Sequence, residues 1–278
     1  MSRAIRMDLY KMFKMKSFYV ILIVMAAVTL WSTGMIKAEM KDVDEQQSQS
    51  IEQEEEVVNV GINVGVSSQS DGKFTLMDFA FGNIQGKVIA LFLVIFSVLF
   101  ASSDNTTGYI KNIGGQVSRR SMLIISKAAG LLVYTILLFG IYLLVQLVSN
   151  GIIFGYMKLG NVSDLLSYIG LQIWLHFAFA LICMAIAYIV KNNVFTMIVV
   201  ISMCANLMII FYNGIDKIIE KAGIEGFHMI KYTITGRIAM LSSQASGNEA
   251  AGALVAGTVV IVAMLIVGCA VFEKRDIV

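Results

Sequence analysis

The chain has no proline in its 278 residues, where average usage near 5% would put about 14. Helix kinks therefore have to come from glycine, serine or local π-bulges, and any hinge must be built from those. Charge is scarce as well: 14% of the residues are charged, against about 25% in soluble domains. With 58% hydrophobic residues and a mean hydropathy of +0.78, a soluble enzyme is nearly excluded. The net charge of +2 is spread between the ends of apolar segments, which sets aside nucleic acid and other polyanions as partners. The three cysteines, Cys183, Cys204 and Cys269, lie inside apolar runs, where a thiol packs as a small hydrophobe, so no disulfide is expected. The two histidines stand apart, and no HExxH, CxxC, GxSxG or phosphate-loop glycine spacing occurs. Metal, serine-hydrolase and nucleotide chemistry lack their usual marks, and neither catalysis by the chain itself nor a bound cofactor is expected.

What the chain does have is long uncharged runs: Phe18–Ile36, Ala128–Tyr156, Leu165–Val190, Val194–Ile215 and Ala250–Phe272. Each is long enough for the ~20 residues that cross a bilayer core. The run Val88–Phe100 is short, but extending it back through Lys87, Gln85 and Asn83 to Phe79 gives a full crossing whose outer third is polar. The expectation is an all-α polytopic membrane protein. Its single membrane domain over 1–278 has six transmembrane helices at about 18–36, 79–101, 123–150, 165–190, 194–213 and 250–272.

Arg3, Arg6, Lys11, Lys14 and Lys16 precede the first span and only Lys37 and Lys41 closely follow it, which places the N-terminus in the cytoplasm. Six spans return the C-terminus to the same side, in agreement with Lys111, Arg119, Arg120 and Lys127 between spans two and three. A cleaved signal peptide is the alternative for residues 1–38, but the apolar stretch is longer than a usual signal core and no clear A-x-A site follows. Ile5, Leu9, Met12 and Phe13 oppose Arg6, Lys11 and Lys14, the pattern of an N-terminal interfacial helix or of a helical extension of span one with snorkelling lysines.

Two extracellular segments follow from this topology, 37–78 and 214–249. The stretch Lys37–Asn83 carries ten acids against three lysines; it reads as a solvated, partly disordered loop or as a surface that gathers a cationic peptide or cation. In the second segment, Ile215, Ile218, Ile219 and Ala222 form one apolar stripe and Phe227, Ile230, Ile234 and Ile238 another, with Gly223 and Gly226 between them. Two short outer helices before the last span are expected.

The connection between spans two and three reads Ser103-Asp104-Asn105-Thr106-Thr107-Gly108-Tyr109-Ile110-Lys111-Asn112-Ile113, then Ser118-Arg119-Arg120 and Lys127. It resembles the ABC-2-type permeases of bacterial ABC exporters, whose loop runs acidic residue, Gly-Thr-x-Lys, an apolar pair, Ser-Arg and a Lys opening the third span. Tyr109 stands where that family often has Thr, and Val117 where it often has Pro. Length, span number, the basic N-terminus and the long segment before the sixth span are also similar, most of all to peptide and bacteriocin export or immunity permeases. The resemblance implies a multi-pass permease of the bacterial plasma membrane. It also implies a separate ABC ATPase subunit and a second permease subunit, a homodimer in preference to a heterodimer. Asp104, Gly108, Tyr109, Ile110, Lys111 and Asn112 would form the ATPase-coupling element, with capping oxygens at its start, apolar knobs at Tyr109 and Ile110, and Gly114-Gly115 at its end.

Polar residues inside the spans are Gln146, Asn150, Gln172, His176 and Asn206. Such groups are costly against lipid, so they face other helices or an aqueous path, and they are the candidate substrate path. The expected cargo is a peptide or a hydrophobic or amphipathic compound leaving the cell or the membrane. The rivals are an ATPase-independent secondary transporter or channel, for which the sequence displays neither paired intramembrane ions nor half-helix repeats, and a non-transporting scaffold or sensor. An intramembrane hydrolase is the weakest rival, because no Ser/His or paired-carboxylate constellation is present.

Overall fold

A computed structural model describes residues 2–46, 74–106, 121–190, 192–205, 207–221 and 228–273, and all of the regular structure among them is helical. A short helix α1 (Ser2–Lys14) leads into α2 (Lys16–Gln46). The chain continues through α3 (Leu76–Gln85), α4 (Val88–Thr106), α5 (Ser121–Phe154), α6 (Val162–Val190) and α7 (Asn193–Cys204). It ends with α8 (Ile209–Lys221), a 3-10 turn at Met229–Tyr232, α9 (Ile234–Met240) and α10 (Gly247–Glu273).

Four helices are long and apolar enough to cross a membrane, at Lys16–Ala38, Ser121–Phe154, Val162–Val190 and Gly247–Glu273. They match the expected first, third, fourth and sixth spans. The expected second span is interrupted: α3 and α4 meet at a 55° bend. The run expected to be the fifth span is divided between α7 and α8. The Ala205 amide still bonds the Ile201 carbonyl, but Leu207 N–H reaches back to Ser202 O, a wide turn that ends a helix instead of extending it.

The helix α6 is the central rod. It is 67% buried over its most apolar window, whereas α10 is 17% buried and turns Leu254, Val255, Val259, Val262 and Ile266 outward. At the end of the bundle that carries α1, Tyr134 of α5 stacks on Phe96 of α4 at 3.6 Å, and Phe18 of α2 meets both rings edge-on. At the opposite end Phe74, Phe79 and Phe154 form a second ring cluster. There the α5–α6 turn uses left-handed Gly155 (φ 76) and Gly160 (φ 74), the latter against Thr75.

The helix α1 is separate from α2. It breaks at Met15, where the Met15 and Phe18 amides make tight bonds to Met12 O and Met15 O, so α1 is not an extension of the first span. The two outer helices expected before the last span correspond to α8 and α9. The apolar stripes divide, however: Ile234 and Ile238 are buried in the bundle, whereas Ile215 and Ile218 are exposed. Gly223, Gly226 and Phe227 lie outside the described residues.

The contact of α6 with α10 depends on Gly257. A Cβ there would lie 2.7 Å from Trp174 Cδ1, and the same indole donates at 3.3 Å to Leu254 O and Thr258 Oγ1. Overpacking of this kind costs about 1–3 kcal/mol. Gly257→Leu should therefore lower the melting temperature of the purified protein clearly and Gly257→Ala less so. Gly140→Ala, where a new Cβ meets nothing within 4 Å, should leave it unchanged.

Candidate functional site: a polar layer at two helix breaks

The break in the second span is built residue by residue. Thr75 caps α3 by accepting from Asp78 N–H, while Asp78 Oδ2 accepts from Thr75 N–H at 2.8 Å. Leu76 N–H donates to Lys158 O at 2.8 Å and ties this helix start to the α5–α6 turn. Ten residues later Gly86 closes the last turn, and Lys87 takes φ 60, the one non-glycine residue in the left-handed region among the described residues. That conformation costs roughly 1–2 kcal/mol for a residue with a Cβ, so the surroundings must hold it. They do so through its carbonyl, which accepts from Leu91 N–H at 3.0 Å and from the Cys204 thiol at 3.6 Å. Cys204 is the last residue of α7, so the second break in the bundle lies against the first.

Side chains around this junction are polar and fully enclosed. Asn83 Nδ2 donates to Phe79 O at 3.0 Å and to Tyr142 Oη at 2.9 Å, and Tyr142 donates on to Phe79 O. On α6, Gln172 Nε2 donates to Tyr168 Oη and, at 3.2 Å, to Ile238 O of α9, which brings the outer helix into the layer. One turn along, His176 Nδ1 is 2.8 Å from Gln172 O and its ring is edge-on to Phe139. Each partner carbonyl demands a donor, which fixes the amide orientations and puts the imidazole proton on Nδ1. What is left over is three acceptors, Asn83 Oδ1, Gln172 Oε1 and His176 Nε2, with no partner among the described residues.

The five residues expected on a substrate path thus separate. Gln172 and His176 belong to this layer. Gln146 instead donates to Thr33 Oγ1 at 3.0 Å and to Asn150 Oδ1 at 2.9 Å, a seam between α2 and α5. Asn206 lies outside the described residues. The layer also holds Asn83, Lys87, Tyr142 and Tyr168. Lys87 follows a glycine at the edge of the apolar run Val88–Phe100, which is the signal a sequence reading could have used.

A second polar group sits at the α1 end, at the roots of the 107–120 connection. Lys127 Nζ donates to Phe100 O at 2.8 Å and lies 4.4 Å above the Phe100 ring, joining α5 to α4. Next to it Ser126 Oγ donates to the Asp8 carboxylate, and both residues are buried. Asp8, on α1, is therefore part of its packed face together with Met12, a role the basic-against-apolar pattern concealed. Of the expected coupling residues, Asp104 falls in the last turn of α4, while Gly108, Tyr109, Ile110, Lys111 and Asn112 lie outside the described residues.

Fold and site together define a bundle of membrane-spanning character, helical throughout the regular structure of the described residues, with a sharp bend between α3 and α4 and a polar layer beside it. No family model matches the chain, and neither curated proteins nor solved structures give a match.

The Asp8–Ser126 contact has a direct consequence. Removing one partner of a buried, charge-assisted hydrogen bond costs about 1–3 kcal/mol, enough to raise local opening roughly tenfold. Asp8→Ala should speed tryptic cleavage at Arg6 and Lys11 by about that factor while the rest of the bundle stays resistant. Cleavage at the parent rate would mean that the Asp8 carboxylate does not hold α1 in place.

Proposed function

We propose that the chain is the transmembrane subunit of an ATP-driven exporter of the ABC-2 type in the bacterial plasma membrane. In this reading two copies lie side by side, and separate ATPase subunits dock at the 107–120 connection on the cytoplasmic side. The ATP chemistry belongs to the partner. The chain crosses six times, with α3–α4 as an interrupted second span and α7 with the first turn of α8 as an interrupted fifth, the rest of α8 lying outside, so that both termini are cytoplasmic. The cargo is a peptide or an amphipathic or hydrophobic compound.

The observation that carries this reading is the loop itself: an element resembling the coupling loop of that family hangs between two helix ends that are tied together. Lys127 fastens the start of α5 to Phe100 near the end of α4, and Asp8 adds α1 through Ser126. A partner pushing on the loop would move these ends as one body. From there α4 is a continuous rod of 19 residues back to Val88, about 28 Å at 1.5 Å per residue. Its far end is the left-handed Lys87 junction. Motion at the loop would thus reach the polar layer of Asn83, Gln172 and His176, which is where the cargo path is placed.

One observation favours a second reading, a secondary transporter working without an ATPase. Interrupted helices that meet inside a bundle are the usual construction of ion and substrate sites in such proteins, and the Lys87–Cys204 contact joins two of them. ATPase dependence separates the two readings.

Tyr109 and Ile110 are the apolar knobs of the proposed coupling element. Truncating central anchors of a small interface costs ~1–2 kcal/mol each or more. The double variant Tyr109→Ala, Ile110→Ala should insert and purify normally but lose copurification of an ATPase subunit or its stimulated hydrolysis. Retention of both would reduce the loop to a connector and favour the second reading.

A further inference from the structure

A pocket of about 280 Å³ opens at the end of the bundle opposite α1, lined by Lys231, Arg237, Met240, Leu241, Glu249 and Ala253. Its floor is apolar, since Leu241 and Ala253 are buried. Its rim is cationic. Among the described residues neither Lys231 nor Arg237 is paired with an acid, and Arg237 Nε is shielded from solvent without a hydrogen-bond partner. The guanidinium rests against the second turn of α10, where a Cβ on Gly252 would be 3.3 Å from Nη1.

Glu249, the one acid in the lining, is engaged in its own helix cap: Ser246 N–H donates to Glu249 Oε2 at 2.9 Å while Ser246 Oγ accepts from Glu249 N–H. It closes a capping box at the N-terminus of a 27-residue helix, whose dipole adds a further positive contribution. With Glu249 held in its cap, the two cations Lys231 and Arg237 leave the rim with a net positive charge.

The height of the pocket says what carries the anion. Glu249 and Ala253 lie in the first two turns of α10, and the outward apolar face of that helix begins directly below with Leu254 and Val255, followed by Val259. The helix α8, which packs against the 3-10 turn that bears Lys231, turns Phe211, Ile215 and Ile218 outward. A charged rim just above a lipid-suited helix face is at headgroup depth.

We propose that this pocket binds the phosphodiester head of an anionic lipid from the adjacent leaflet. Arg237 and Lys231 pair with the phosphate, and Met240, Leu241 and Ala253 receive the first carbons of the tail. The site needs only the membrane bundle and does not depend on an ATPase. The head must lack a cation of its own, because a choline or ethanolamine head would return a positive charge to an already positive rim.

The test is native mass spectrometry of the full chain released from detergent. The probe is short-chain phosphatidylglycerol, with phosphatidylcholine of the same chain length and inorganic phosphate as comparators. The wild type should retain one phosphatidylglycerol in preference to phosphatidylcholine. Lys231→Gln and Arg237→Gln should each weaken this by about 10-fold, the effect of removing one charged hydrogen-bond partner. Arg237→Lys should recover most of it, and Lys217→Gln, an exposed cation of α8, should change nothing. Because Lys231 is exposed, its replacement tests the site even if an Arg237 variant folds poorly. Equal retention of the two lipids, or unchanged binding in Lys231→Gln, would overturn the proposal. Inorganic phosphate displacing the lipid at equal concentration would make the site a free-anion site and overturn the lipid assignment.

Discussion

Inside a hydrocarbon layer a backbone amide or carbonyl has no water to turn to, so a helix can be interrupted only where protein supplies the missing partners. That constraint governs the region around Lys87. Gly86 is still helical and Lys87 alone turns left-handed; the Lys87 carbonyl, which opens α4 by accepting from Leu91 N–H, also receives the Cys204 thiol from the end of α7. The bent α3 must be anchored, and it is, by its capping box, by Leu76 on Lys158 O and by Asn83 on Tyr142. Gln172, in turn, reaches Ile238 O of α9. Much of the polar chemistry of the bundle is therefore a response to one break in the chain.

This arrangement gives the molecule two differently built ends. At the α1 end, α1, α4 and α5 are locked by Asp8, Ser126, Lys127 and Phe100, and Gly130 allows the Phe100 ring to within 3.2 Å of where a Cβ would sit. At the other end, short elements and turns predominate: α3, the left-handed glycines, the 3-10 turn and α9. In the proposed exporter the locked end receives the push from the ATPase and the segmented end yields to it, with α4 as the rod between. The three unpartnered acceptors of the polar layer are costly in the arrangement observed, about 1–3 kcal/mol each. A conformation that admits water or a hydrogen-donating cargo would relieve that cost.

The long helices were legible in the sequence because their signal is simple: α5, α6 and α10 are built on long uncharged runs with charges only near their ends, and these ends fall within a few residues of the expected 123–150, 165–190 and 250–272. The interruptions were not. Val194–Ile215 contains no charge or proline to mark where α7 stops, and hydropathy cannot distinguish one crossing from a 12-residue helix followed by an amphipathic one. Lys87 was visible as a charge near the edge of an apolar run, but neither its left-handed backbone nor its contact with Cys204, which is distant in sequence, could be read there. Asp8 was hidden for a similar reason. A lone acid in a basic helix looks solvated until Ser126, on another helix, is placed beside it. Among the polar span residues, Gln146 and Asn150 carried the same signal as Gln172 and His176, and only packing assigned the first pair to the α2–α5 seam.

The break at Lys87 and its contact with the end of α7 are the features on which the rest depends. Solid-state NMR of the protein in lipid bilayers, with lysine and cysteine labelled, reads this directly. Lys87 Cα and Cβ shifts should lie outside the helical range, with a direct through-space correlation between Lys87 and Cys204 and slow exchange of the Leu91 amide. Helical shifts running without interruption through Gln85, Gly86, Lys87 and Val88, with no Lys87–Cys204 correlation, would contradict this arrangement.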